Sequence, residues 1–64
     1  METRQEQLRK RLFDVLTSNP KTLEQLAWDM EISLPTLRRF VNGTKKVSFL
    51  NLSKIEHYIV IHES

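Results

Sequence analysis

Apolar residues recur along this chain at spacings of three and four, the periodicity of helices that bury one face. The first apolar stripe predicts a helix over about residues 3–18. Its members are Leu8, Leu12, Val15 and Leu16. Asn19 precedes Pro20, and a residue before proline avoids the helical conformation, so the helix is expected to end there.

Three more stripes predict helices over about residues 22–30, 34–42 and 48–60. Each starts at or directly after a hydroxyl residue suited to cap a helix N-terminus, namely Thr22, Ser33 and Ser48. Pro35 falls in a first turn, where its missing N–H costs little, and Gly43 is typical of the residue after a helix. The run "YIVI" is rich in β-branched residues, so the pattern leaves open whether the chain ends as helix or as a short strand.

The length and composition fit one small all-α domain that spans residues 1–64. A domain of this size buries only about 60% of the surface of its unfolded chain, which leaves little room for a deep catalytic pocket. The chain has no cysteine, and His57 and His62 are five apart, so they do not share a helical face as two metal ligands would. We therefore expect no enzyme activity, cofactor, metal site or small-molecule substrate.

No apolar run approaches the roughly 20 residues of a membrane helix, and no signal peptide opens the chain, so a cytoplasmic protein without membrane contact is expected. The net charge of +2 is a weak hint of nucleic-acid binding. One basic cluster near the N-terminus consists of Arg4, Arg9, Lys10 and Arg11. We interpret it as a solvated helix face, and the alternative is that it follows a nucleic-acid backbone or enters a minor groove. A second cluster consists of Arg38, Arg39, Lys45 and Lys46.

The stretch "LAWDMEISLPTLRRFVNG" resembles the helix-turn-helix of the Cro/repressor (lambda-repressor-like) family. The residues that carry the resemblance are Leu26, Ala27, Ile32, Ser33, Leu37, Asn42 and Gly43. The resemblance covers residues 22 to about 59 and implies a four-helix domain with a helix-turn-helix formed by helices 2 and 3. Glu31 stands where the family often has glycine, so a positive φ is expected at this residue.

In this family the second helix of the motif lies in the major groove of double-stranded DNA. The resemblance therefore implies a recognition helix over about residues 34–42. Leu37 and Phe40 are needed for the core, so Arg39 is the first candidate for base contact, and its guanidinium suits a guanine edge. The other base-contact candidates are Thr36, Pro35 and Leu34. The phosphate-contact candidates are Arg38, Asn42, Lys45, Lys46 and Thr22, with Arg38 alternatively paired with Glu31 and Thr22 alternatively a simple cap.

These features predict a sequence-specific transcriptional regulator, such as a phage or mobile-element repressor or an autoregulator. It is expected to act as a homodimer through Tyr58, Ile59, Val60 and Ile61, with Ile59 the first of these to be expected in the monomer core. The alternative is a protein-interaction module on the same fold, antitoxin-like or antirepressor-like. Trp28 lies off the apolar stripe, and we expect it to pack over helix 1 or helix 4 rather than to face a partner.

Overall fold

All four predicted helices are present in the computed structural model, which describes residues 2–44 and 46–63. They are α1 (Arg4–Ser18), α2 (Leu23–Met30), α3 (Leu34–Asn42) and α4 (Phe49–His62). No strand occurs in these ranges, so the all-α prediction is confirmed. The apolar C-terminal run belongs to α4, which settles the choice between helix and strand.

Each helix begins at a hydroxyl side chain that accepts a hydrogen bond from a backbone N–H three residues later. Thr3 accepts from Glu6 at 3.2 Å, and Thr22 accepts from Gln25 at 3.1 Å. Ser33 and Ser48 do the same for α3 and α4 at 3.3 Å. Such a cap stabilises a helix by about 1 kcal/mol, which explains why the predicted starts match the observed ones.

Two left-handed residues end the central helices. Glu31 has φ 59° and ψ 43°, and Gly43 has φ 70° and ψ 22°. After α2, Ile32 N–H donates to the Ala27 carbonyl at 3.1 Å, and the Lys54 ammonium donates to the Glu31 carbonyl at 3.0 Å. The predicted positive φ at Glu31 is therefore confirmed.

The core is formed by one apolar stripe from each of the four helices. α1 packs on α4 and α3, and α2 packs on α3 and α4. The buried residues are Leu8, Leu12, Val15, Leu26, Ala27, Met30, Leu37, Phe40, Ile55, Tyr58 and Ile59. None of the helices in the described ranges is both long enough and apolar enough to cross a membrane.

The prediction for Trp28 is wrong. Its side chain is 83% exposed and does not pack over α1 or α4. Leu26, Ala27 and Met30 face the core, and the 3.6-residue turn places Trp28 on the far side of α2 from them. No other helix covers that side, so the indole remains at the surface.

Candidate nucleic-acid interface

The orientation of α3 follows from its two buried residues. Leu37 and Phe40 are fully buried, so the opposite side of the helix faces outward. The 3.6-residue turn places Pro35, Arg39 and Asn42 in one stripe along that outer side, and all three are exposed. Arg39 therefore lies where the sequence predicted it.

The two adjacent arginines of α3 are exposed and lack acidic partners. Neither Arg38 nor Arg39 forms an ion pair or a side-chain hydrogen bond within residues 2–44 and 46–63. The alternative pairing of Arg38 with Glu31 is thus not observed. Both guanidinium groups keep their donors available to a ligand.

Thr36 and Leu34 are placed differently from Arg39. Thr36 Oγ1 lies 2.6 Å from Ser33 Oγ, and its side chain is half-buried. Leu34 is also half-buried, against the core. Pro35 therefore shares the outer stripe with Arg39, whereas Thr36 lies at the edge of that stripe and uses part of its hydrogen-bonding capacity in the helix cap.

Most cations away from α3 are neutralised by carboxylates. Arg4 pairs with Glu56, and Lys10 pairs with Glu2. Arg11 donates two hydrogen bonds to Glu63, at 2.7 and 3.0 Å, and Lys21 donates one to Asp29 at 3.0 Å. These pairs raise the pKa of Arg11 and Lys21 and lower the pKa of Glu63, in each case chiefly through the hydrogen bond.

The cations without a carboxylate partner are concentrated near α3. In the described part of the chain they are Arg9, Arg38, Arg39, Lys46 and Lys54, of which Lys54 is bonded to the Glu31 carbonyl. Arg38 and Arg39 belong to α3, and Lys46 follows it in the loop to α4. The cations that no carboxylate neutralises are therefore found mainly on α3 and in the loop after it.

Arg9 joins this surface from α1, and the sequence did not indicate that it lies beside the end of α3. Its guanidinium lies so close to Gly43 that a Cβ at this glycine would collide with Nη1. Arg9 and Lys46 both line a cleft between α1 and the α3–α4 loop. Arg9 and Gly43 are far apart in sequence, so no local pattern could have placed them together.

The α3–α4 loop is held against α1. Val47 N–H donates to the Gln5 Oε1 atom at 2.9 Å, and this contact is partly buried. Lys46, next to Val47, is exposed, as a phosphate contact requires. Lys45, the other predicted loop contact, lies outside the described residues.

Thr22 caps α2 by accepting a hydrogen bond from the Gln25 N–H. Capping is the simpler of the two roles predicted for this residue. Glu24 lies in the same first turn and already places a negative charge near the N-terminus of α2. A phosphate there would meet this carboxylate, so the geometry favours the cap over phosphate contact.

Two of the four predicted dimer residues are not on the surface. Tyr58 is 6% exposed and Ile59 is fully buried, so both belong to the monomer core and the prediction for Tyr58 is corrected. The Tyr58 ring also packs against His62, with the ring centroids 4.2 Å apart. Val60 and Ile61 are 57% and 61% exposed and remain available to a partner.

In the described ranges, no group of three or more His, Cys, Asp or Glu side chains is placed to hold a metal ion.

Comparison of the chain with protein-family models, with curated proteins and with solved structures gives no match.

Proposed function

We propose that this protein is a sequence-specific regulator that binds double-stranded DNA, with α2 and α3 acting as a helix-turn-helix of the lambda-repressor-like kind. The observation that carries the proposal is the segregation of charge. Arg38, Arg39, Lys46 and Arg9 lack carboxylate partners and lie on or beside α3, whereas four cations elsewhere are paired. A helix with free cations on its outer side suits a groove lined by phosphates.

In the proposed complex, α3 lies in the major groove and Arg39 reads a base. Its planar guanidinium can donate two hydrogen bonds to the O6 and N7 atoms of guanine. Pro35 lies one turn earlier on the same stripe and offers an apolar contact, for example to a thymine methyl group. Leu34 and Thr36 contribute at the edge of this stripe.

The surrounding groups would position the helix on the DNA backbone. Arg38, Asn42 and Lys46 are exposed on α3 or just after it and are proposed to contact phosphates. Contacts of this kind supply affinity and register but carry no direct base information. The proposed role is that of a phage or mobile-element repressor or an autoregulator in the cytoplasm.

A homodimer on a palindromic operator completes the proposal. One copy of α3 offers few base contacts, and two-fold pairing doubles them. The two half-sites would then lie one helical turn apart, or roughly 34–36 Å.

Fluorescence anisotropy with a labelled duplex of mixed sequence tests the proposal. We expect binding whose logarithmic affinity falls linearly with the logarithm of salt concentration, because bound cations release counterions from the DNA. The Arg38→Ala/Lys46→Ala variant should bind more weakly with a smaller slope. The Lys10→Ala variant is the matched control. Because Lys10 is paired with Glu2, its loss should leave the slope of affinity against salt concentration unchanged. Absence of salt-dependent binding to the duplex would refute the proposal.

The second candidate function is a protein-interaction module, and the exposure of Trp28 favours it. A tryptophan that is 83% exposed is unusual unless it meets a partner, because aromatic residues are enriched at protein interfaces. Trp28 is also the only tryptophan, so its fluorescence reports directly on its environment. If DNA binding is absent and a protein ligand shifts this emission to shorter wavelength, the second function replaces the first.

A further inference from the structure

The outer side of α4 carries an apolar surface that the proposed DNA contacts do not use. Phe49, Leu50, Val60 and Ile61 are 82%, 66%, 57% and 61% exposed. The 3.6-residue turn places these four on the side of α4 opposite the buried Ile55 and Ile59. We call them the α4 outer face, together with Ser53 and His57, which lie between the two apolar pairs.

The α4 outer face carries no formal charge when histidine is neutral. The two charged side chains of α4 itself are engaged elsewhere. Lys54 donates to the Glu31 carbonyl of α2 at 3.0 Å, and Glu56 pairs with Arg4 of α1. An uncharged apolar face is poorly matched to DNA or to an acidic peptide, but it is matched in charge and polarity to a second copy of itself.

The face is also symmetric about the level of Ile55. Phe49 and Leu50 lie as far before Ile55 as Ile61 and Val60 lie after it, and Ser53 and His57 are likewise equidistant. An antiparallel pairing of two α4 helices therefore places each N-terminal apolar pair against the C-terminal apolar pair of the second copy. The small Ser53 then faces His57 of the second copy, and the two helix dipoles oppose each other.

We infer that α4 is a homodimer interface in which two copies pair antiparallel through their outer faces. Such an interface is isologous, because the same patch serves both copies. The inference rests on the proposal that the protein acts as a dimer, but it does not require DNA binding. In this interface Phe49 and Leu50 join Val60 and Ile61. They take the place of Tyr58 and Ile59, which are buried in the monomer core.

The exposed area sets the expected strength of this dimer. From the usual areas of aliphatic and aromatic side chains, the four apolar residues offer roughly 350 Å² per copy. A standard interface buries roughly 800 Å² on each partner. The dimer is therefore expected to be weak and concentration-dependent in the absence of DNA.

Sedimentation equilibrium over a range of concentrations tests the interface without DNA. Leu50→Gln/Val60→Gln should raise the dimer dissociation constant at least about tenfold, because each change places a polar group in the apolar contact. Phe13→Gln is the control, since Phe13 is 43% exposed on α1, and it should leave the constant unchanged. Circular dichroism checks that the variants keep their helices. A wild-type chain that stays monomeric at millimolar concentration, or a dimer indifferent to the double change, would overturn the inference.

Cysteine cross-linking tests the antiparallel geometry, and the natural chain contains no cysteine to interfere. Chains with Ser53→Cys are mixed with chains with His57→Cys under mild oxidation. Antiparallel pairing brings the two different positions together, so in an equimolar mixture the mixed disulfide should clearly exceed twice the amount of either homodisulfide, which is the ratio that random pairing gives. Excess of the homodisulfides would show parallel pairing and contradict the geometry. Absence of any cross-link would contradict the interface, and neither result would bear on DNA binding.

Discussion

Replacing Glu31 with glycine should stabilise the fold. Glu31 adopts φ 59° and ψ 43°, a left-handed conformation that places its Cβ close to the backbone. Its side chain is exposed and makes no hydrogen bond or ion pair within the described ranges, so little is lost with it. The interactions of this turn use backbone atoms and remain available to glycine, including the carbonyl that accepts from Lys54.

The magnitude follows from two opposing effects. Relief of the left-handed conformation contributes about 1–2 kcal/mol. The greater freedom of glycine in the unfolded chain costs about 0.4–1 kcal/mol. The net gain is therefore roughly 0.5–1 kcal/mol, or about 2–8 °C in Tm for a domain of this size.

Thermal and urea denaturation, followed by circular dichroism, measure this gain. Glu31→Ala separates the backbone effect from the loss of charge, because alanine removes the carboxylate but keeps the Cβ. It should stay within about 0.5 kcal/mol of the wild type. Gln25→Gly, at an exposed position with ordinary helical geometry in the same helix, should lose about 1 kcal/mol. Equal stabilisation by Glu31→Ala and Glu31→Gly would refute the backbone explanation.

Three further predictions concern the DNA surface, a helix cap and the C-terminus. Lys46→Ala should weaken binding to every duplex alike and reduce the salt slope by about one, and a changed preferred site with an unchanged slope would argue against phosphate contact. Ser33→Ala should cost about 1 kcal/mol in urea denaturation, because Thr36 N–H loses its 3.3 Å partner; an unchanged midpoint would show that the cap contributes nothing. Arg11→Gln should raise the pKa of Glu63 toward its ordinary value in an NMR titration. Because Arg11 lowers that pKa in the fold, the pair stabilises the protein above the unfolded-state pKa of Glu63, and this contribution disappears as the pH falls through the folded-state pKa. A Glu63 titration that does not respond to this change would disprove the pairing.

The helices and their ends could be predicted from the sequence because local interactions determine them. Thr22, Ser33 and Ser48 mark helix starts by bonding to backbone groups three residues away. The positive φ of Glu31 could be anticipated because this residue stands in the turn where the family that the sequence resembles often has glycine. In these cases the cause lies within a few residues of the effect.

The features that sequence reasoning missed depend on contacts between distant segments. Whether Trp28 is covered depends on which helix passes over the far side of α2, and an apolar stripe cannot reveal that. The proximity of Arg9 to Gly43 arises only when α1 packs beside the end of α3. Tyr58 belongs to the apolar C-terminal run for which the sequence predicts a dimer interface, yet the packing of α4 buries it.

Selection of binding sites from random double-stranded DNA, with the wild type and Arg39→Ala in parallel, tests the central claim most directly. Arg39 is exposed on the outer stripe of α3 and lacks an acidic partner among the described residues. The wild type should enrich a palindromic site with a guanine-containing pair in each half. Arg39→Ala should lose preference at that pair and bind the original site more weakly by about 1–3 kcal/mol, whereas Arg38→Ala should lower affinity and keep the preference. Enrichment of no sequence by the wild type, or of the same sequence with undiminished preference by Arg39→Ala, would contradict the account.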